Sequence, residues 1–450
     1  MCRGFSQMAD AGTRLERRAI TKISWRLLPL LGACYLVAII DRGNVSFASV
    51  SMNAELKFSE AVYGLGVACF FISYALFEVP SNLLLNRFGA RRWLARIMVT
   101  WGIVSMAMVF VRTPWEFYGL RFLLGMAEAG FFPGVTHYVS EWMPAHQRGR
   151  AISRFYIASA LALVALGASA PPLLGLHGLA GLSGWQWLFI VQGLPAVLLG
   201  VALLFALPDR YSEAAWLEPE EKAWLDREMA LGTAATGAAP IGIGGALLQP
   251  IVLVAGTALA LNFAVGSAIG FSLPKLMTDQ MHWSIAQAGK MTVVSGVLVG
   301  VAMLIAGVVS DRMARPSRLV AILMLVTAAG GMMILFGGTT MIAAAGGVIF
   351  TVAGQVAGLV ILITLTRFIH PTARAAGIAM SNTLGQIGAA IGPALWGLAA
   401  SATGSFSLGL LIASVVMAFA ALIAWSIELV TARKAPSPVL SSIRPTAHQH

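Results

Sequence analysis

Twelve apolar stretches divide this chain, and each is about as long as the roughly 20 residues that a helix needs to cross bilayer hydrocarbon. They lie near Ser24–Val50, Ala61–Leu85, Trp93–Val111, Glu116–Ser140, Ala151–Leu176, Gln186–Ala206, Ile251–Leu276, Gln287–Val309, Arg318–Gly337, Met341–Arg367, Ala375–Ser401 and Leu408–Leu429. Only 11% of residues are charged, against about 25% in a soluble domain. In lipid every backbone N–H and C=O must be paired internally, so runs of this length dictate membrane-spanning helices. The expected fold is all-α and polytopic, with 12 transmembrane helices in two pseudo-symmetric six-helix bundles. The bundles are expected at residues 1–206 and 250–429, joined by a hydrophilic linker, 207–249, and followed by a polar tail, 430–450. The linker's WLEPEEKAWLDREM segment suits a short helix on the membrane surface.

The net charge of +11 does not form one basic patch. Lys and Arg recur in short bursts between apolar runs, as the positive-inside rule requires of cytoplasmic loops, and nucleic acid is excluded as a partner. On the threading above, only Lys57, Arg112, Lys275 and Lys290 fall on the outer side, and Arg42 and Arg121 fall within the membrane. The remaining basic residues share one side with the leader, so both termini are expected in the cytoplasm. No cleavable signal peptide is expected, because the first apolar run is too long for one and follows a basic leader. Cys2, Cys34 and Cys69 suggest no disulfide framework.

The fourth run contains YGLRFLLGMAEAGFFP, Tyr118–Pro133, which sets Arg121 and Glu128 inside an otherwise continuous apolar helix. Seven residues apart, they share a helical face about 10 Å apart along the axis. A charge at the bilayer centre costs about 2.5–3.5 kcal/mol on insertion scales, so these groups are expected to face a partner, a water-filled cavity or a cargo. A purely structural Arg–Glu pair between helices is the alternative. The first run carries Asp41 and Arg42 about two-thirds of the way across, where an internal ion pair is again the alternative. Tyr74 could donate its hydroxyl into the same cavity or serve as an ordinary interhelical tyrosine. Glu78, one turn on, fits an inner gate and loop network.

The two halves also repeat a loop. NLLLNRFGARR, Asn82–Arg92, follows the second run, and GVVSDRMARPSR, Gly307–Arg318, follows the eighth. These residues resemble the major facilitator superfamily, whose loop pattern is G-x-x-x-D-R-x-G-R-R. The first copy departs from it with Asn82 and Asn86 at the Gly and Asp positions, and the second restores both as Gly307 and Asp311. DRGNVSFA (from Asp41), FEVPSNLLLNRFGARRWLARIMVTWG (from Phe77), RFLLGMAEAGFFPG (from Arg121) and GWQWLFIVQGLPAVLLG (from Gly184) are similar to its anion:cation symporter family, especially the tartrate, sugar-acid and aromatic-acid permeases.

That resemblance implies alternating access around a central site. It would make Asp41 and Glu128 the proton carriers, Arg42 a contact to the substrate carboxylate, Arg121 the charge that tunes Glu128, and Asn382 a substrate contact. Arg87, Gly89, Arg91, Asp311 and Arg312 would serve the gating loops. It also implies a bacterial inner membrane, a monomer, and no cofactor.

The chemistry agrees in kind. A planar guanidinium matches a carboxylate bidentately, and proton carriage needs carboxyls whose affinity burial and a nearby Arg can adjust. The C-terminal half offers only neutral polar groups such as Asn262, Gln355, Asn382 and Gln386, which suit hydrogen bonding to cargo. Asn382 could equally be interhelical glue. Gly385, Gly388 and Gly392 permit close helix approach. The histidines show no metal-ligand spacing, and no nucleotide-binding loop or nucleophile elbow occurs, so neither a metal site nor an enzyme is expected. The leading expectation is proton-coupled uptake of a small organic anion (tartrate-like, sugar acid or aromatic acid). A proton-coupled exporter and a non-transporting anion sensor are the rivals.

Overall fold

The computed structural model describes residues 2–234, 249–279, 281–313, 315–337, 341–369 and 374–432. Among them the chain is helical, with no strand. The elements are α1 (Cys2–Leu56), α2 (Glu60–Phe88), α3 (Ala90–Ala107), α4 (Pro114–Glu128), α5 (Phe131–Trp142), α6 (Ala145–Leu174), α7 (Gly184–Ala206), α8 (Pro219–Ala234), α9 (Pro250–Asp279), α10 (Ile285–Arg312), α11 (Pro316–Gly337), α12 (Met341–Phe368), α13 (Arg374–Thr403) and α14 (Ser407–Ala432).

Ten of these helices are long and apolar enough to cross a membrane. The two apolar runs that fall short are the fourth and the eleventh. The fourth was expected as one helix; the structure breaks it into α4 and α5 directly after Glu128. Gly130 turns the chain with φ +86°, a conformation that only glycine adopts freely. Pro133 has no N–H to return to the Ala129 carbonyl, so a continuous helix would lose that bond. The eleventh run, α13, is long but diluted by glycines and amides. Its Gly388 and Gly392 lie against the Ala260 and Ala264 carbonyls of α9, where any side chain would collide. Both exceptions carry polar groups toward the interior, and the apolar runs around them shield those groups from lipid.

Buried apolar side chains form two cores. One gathers α1 to α7, takes in Leu207, Leu217 and Leu225 from the connection, and touches α13 at Ala389 and Ala390. The other is built from α9 to α14. They meet where α2 begins. Tyr63 donates to the Phe271 carbonyl at 2.7 Å, Ser401 Oγ accepts from the Ala61 N–H at 2.8 Å, and Lys275 Nζ lies 3.4 Å from Glu60 Oε1. α6 and α10 meet closely enough that a Cβ on Gly167 would come within 2.6 Å of the Gly289 carbonyl oxygen.

The connection is not loose over its described part. Tyr138 donates to the Pro208 carbonyl at 2.6 Å, and the Trp142 and Trp216 rings stack at 5.8 Å. α8 then docks on the start of α1: Arg18 bonds Glu218, and Lys22 Nζ lies 3.2 Å from Glu218 and 2.8 Å from Glu221. The Lys22 ammonium, hydrogen-bonded to it, holds the Glu218 carboxyl below its ordinary range. Residues 235–248 and 433–450 lie outside the described residues.

Candidate functional site

α1, α2 and α4 bring Asp41, Arg42, Tyr74, Arg121 and Glu128 to one buried region in the first core. Asp41 and Arg42 are neighbours in sequence and so point about 100° apart around α1. Asp41 is 1% exposed; its Oδ1 accepts from Asn44 Nδ2 at 3.0 Å and from the Ser105 hydroxyl of α3. Its other oxygen, Oδ2, has no protein partner. Arg42 turns the other way and donates from Nη2 to Glu128 Oε1. The two residues therefore do not form the internal ion pair that their adjacency allowed.

The Arg42 side chain is 22% exposed, whereas Glu128 is 1% exposed. Its guanidinium lies 5.1 Å from the Tyr74 ring centroid and 5.5 Å from that of Phe70. Phe70, Tyr74 and Glu78 recur every four residues and line one face of α2. That face supplies two aromatic platforms and then a carboxylate. Cation–π contact of this kind is worth about 0.5–2 kcal/mol, and it holds the fork of Arg42 without consuming its donors.

Arg121 does not form the direct pair with Glu128 that was the structural alternative for it. Burial is complete, with Nε 3.4 Å from the Gly66 carbonyl oxygen and the guanidinium 4.7 Å from the Phe70 centroid. Nη1 and Nη2 have no hydrogen-bond partner in the protein, and neither does Glu128 Oε2. The cation bonded to Glu128 is thus Arg42 of α1, not Arg121 of its own helix. Residues seven apart share a face, but the helix ends immediately after Glu128 and α1 approaches that end. Gly125 lets α4 lie directly on α2, since a Cβ there would strike the Phe70 carbonyl and Ser73.

Asn382 sits on the opposite core and reaches across: its Nδ2 donates to Glu78 Oε1 at 3.2 Å. Glu78 is buried. The bond ties α13 to α2 one turn beyond Tyr74, so Asn382 borders the site and closes it on that side. Tyr35, Phe132, Phe155 and Tyr156 pack beside it, the Tyr35 and Phe155 rings 4.6 Å apart. Cys34 and Cys69 are free.

The loop residues separate from this cluster. Gly89 takes φ +84°, and a Cβ there would come 2.9 Å from Asp209 Oδ1. The same carboxylate accepts from the Arg91 N–H at 2.9 Å and lies 3.5 Å from Arg91 Nε. Asp209, just beyond the end of α7, thus holds this loop through Arg91. Arg87 is exposed and lies over Phe88. Arg312 is exposed at the end of α10, and the side chain of Asp311 lies outside the described residues. No group of His, Cys, Asp and Glu suited to a metal occurs among the described residues.

Sequence reasoning missed Ser105, Gly66 and Asp209, which come from distant segments and carry no local signal. Asn44 was within reach, because position i+3 from Asp41 shares its face.

Comparison with known proteins places this architecture. Over 97% of its length the chain is 38% identical to a protein from Agrobacterium vitis named "Putative tartrate transporter", covering 95% of that protein. It is 36% identical over 90% of its length to an Acinetobacter baumannii protein named "Quinolone resistance transporter", covering 93% of it. Its fold matches the crystal structure of a D-xylose–proton symporter with a TM-score of 0.71 at 18% identity, over 90% of this chain and 97% of the other. It also matches a bacterial homolog of the human lysosomal transporter Spinster with a TM-score of 0.76 at 15% identity, over 92% and 98%. The family model of the Major Facilitator Superfamily matches residues 31–366 and 255–447. The chain belongs to the Major Facilitator Superfamily of membrane transporters.

Proposed function

We propose that the chain is a proton-coupled symporter that takes up a small organic carboxylate by alternating access. One observation carries this reading: Arg42, partly exposed, is bonded to the buried carboxylate of Glu128. An incoming carboxylate and Glu128 compete for the same guanidinium. Protonation of Glu128 removes its negative charge and frees Arg42, so the proton and the anion enter as a neutral pair. A buried charge stripped of its partner is costly, which penalises either ligand entering alone.

The other members fit supporting roles. Arg121 offers two buried donors, Nη1 and Nη2, to a second acidic or hydroxyl group of the cargo. Asp41, with Oδ2 unpaired, is a second proton carrier held in place by Ser105 and Asn44. Tyr74 positions Arg42, and Asn382 with Glu78 forms a gate between the halves. In this scheme residues 1–206 and 250–429 rock about the site. The bonds of Tyr63, Ala61 and Glu60 close one end, opposite the Asp209 loop and α8. With both termini cytoplasmic in a bacterial inner membrane, as the basic loops suggest, the closed end is the outer one. The protein works as a monomer.

The relatives named for tartrate favour a hydroxylated dicarboxylate, and two cations match two carboxylates. Tartrate is accordingly the probe. Isothermal titration should show tartrate binding to the purified protein, and Arg42→Ala should abolish it; near-normal binding in that variant would remove Arg42 from the site. The relative named for quinolone resistance favours a second reading, proton-coupled export. Transport assays with opposite imposed gradients separate the two.

A further inference from the structure

The outer surface of the first core holds a cleft of about 290 Å³ between α2, α3 and α4, whose lining includes none of Asp41, Arg42, Tyr74, Arg121 and Glu128. Phe77, Leu84, Leu123 and Met126 line it, and Leu84 and Leu123 are exposed to the surrounding bilayer. One cation lies in this apolar setting. Arg96 stacks its guanidinium 4.0 Å above the Trp93 ring, and Trp93 is itself fixed by its indole N–H donating to Ser81 Oγ at 3.0 Å. Arg96 Nε is buried without a hydrogen-bond partner, and no carboxylate pairs with the guanidinium among the described residues. The adjacent Thr100 hydroxyl turns back to the Arg96 carbonyl at 2.7 Å and leaves the cleft to the cation.

Depth fixes what such a cation can meet. Arg96 stands six residues into α3, about 9 Å along its axis from the helix start at Ala90, with Arg91 and Arg92 in the first turn. That is the zone between headgroups and acyl chains. A held guanidinium there, above an apolar groove, complements a phosphodiester with a hydrocarbon tail. No carboxylate lines the cleft to receive a choline or ethanolamine cation, so the guanidinium favours a lipid of net negative charge over a zwitterionic one.

We propose that this cleft is a binding site for one anionic phospholipid, with its phosphate on Arg96 and an acyl chain along α2 and α4. The test is native mass spectrometry of the full-length protein in detergent, titrated with phosphatidylglycerol or phosphatidylcholine of the same chains. One phosphatidylglycerol should be retained at least tenfold more tightly than phosphatidylcholine. Arg96→Gln should lose that preference, and Arg96→Lys should keep part of it. Thr100→Phe, which fills the cleft and leaves the charge, should expel the same lipid, so the test survives failure of the Arg96 variant to fold. Inorganic phosphate at millimolar concentration should not compete. Equal retention of both lipids, undiminished retention in Arg96→Gln or Thr100→Phe, or displacement by inorganic phosphate would overturn the proposal.

Discussion

Replacing Glu128 by Gln should tighten the binding of an organic acid, although it removes a buried charge beside the site. In the wild type the cargo must displace the Glu128 carboxylate from Arg42. A hydrogen bond between charged groups is worth about 1.5–3 kcal/mol, and one with a neutral carbonyl acceptor about 1 kcal/mol. Gln keeps the carbonyl and loses the charge, so the competitor weakens by about 0.5–2 kcal/mol, or about 2- to 30-fold in affinity. The same logic sets the pH response. Wild-type affinity should rise as pH falls, because protonation of Glu128 frees Arg42; the Gln variant should be flat over that range. Isothermal titration with the dicarboxylate probe at several pH values measures both, with Arg42→Ala as the blank. Weaker binding in Glu128→Gln, or an unchanged pH slope, would refute the competition argument.

The break after Glu128 gives a stability prediction: Gly130→Ala should destabilise the fold by at least about 1–2 kcal/mol, because φ +86° suits no L side chain and the new Cβ lies 2.7 Å from Ser81 Cβ. Thermal unfolding in detergent checks it, and an unchanged midpoint would mean that the turn relaxes freely. The docking of α8 gives a pH prediction. Because Lys22 lowers the folded-state pKa of Glu218, the bond's contribution is present above the ordinary carboxylate value of 4.5 and is lost as pH falls below it. Hydrogen-exchange protection over residues 219–230, corrected for the intrinsic rate at each pH, should stay high at neutral pH and fall only in that acidic window.

The apolar runs located the helices because length and hydropathy act locally, and a lipid environment leaves the backbone no alternative to helix. The fourth run shows the limit of that argument. Phe131 and Phe132 extend the apolar pattern, so periodicity carries it straight through Gly130; only the glycine–proline spacing hints at a break. The cluster was legible as a list: Asp41, Arg42, Tyr74, Arg121 and Glu128 do converge. Their pairing was not, because it depends on how α1 and α4 are rotated against each other. Spacing along α4 left a structural Arg121–Glu128 pair open as the alternative, and the approach of α1 at the helix end delivers Arg42 as the bonded cation. Asn382 and Glu78 lie 304 positions apart, and no local pattern joins them. The bond from Arg91 to Asp209, 118 positions on, is likewise visible only in three dimensions.

The coupling claim meets its most direct test in proteoliposomes loaded at alkaline pH and diluted into acidic buffer with the labelled dicarboxylate probe. Wild-type protein should concentrate the label above equilibrium and lose it when the gradient is collapsed. Glu128→Gln should exchange internal for external label at a comparable rate yet never concentrate it. Gradient-driven accumulation by Glu128→Gln, or a wild-type protein indifferent to the gradient, would contradict proton–anion coupling at Arg42.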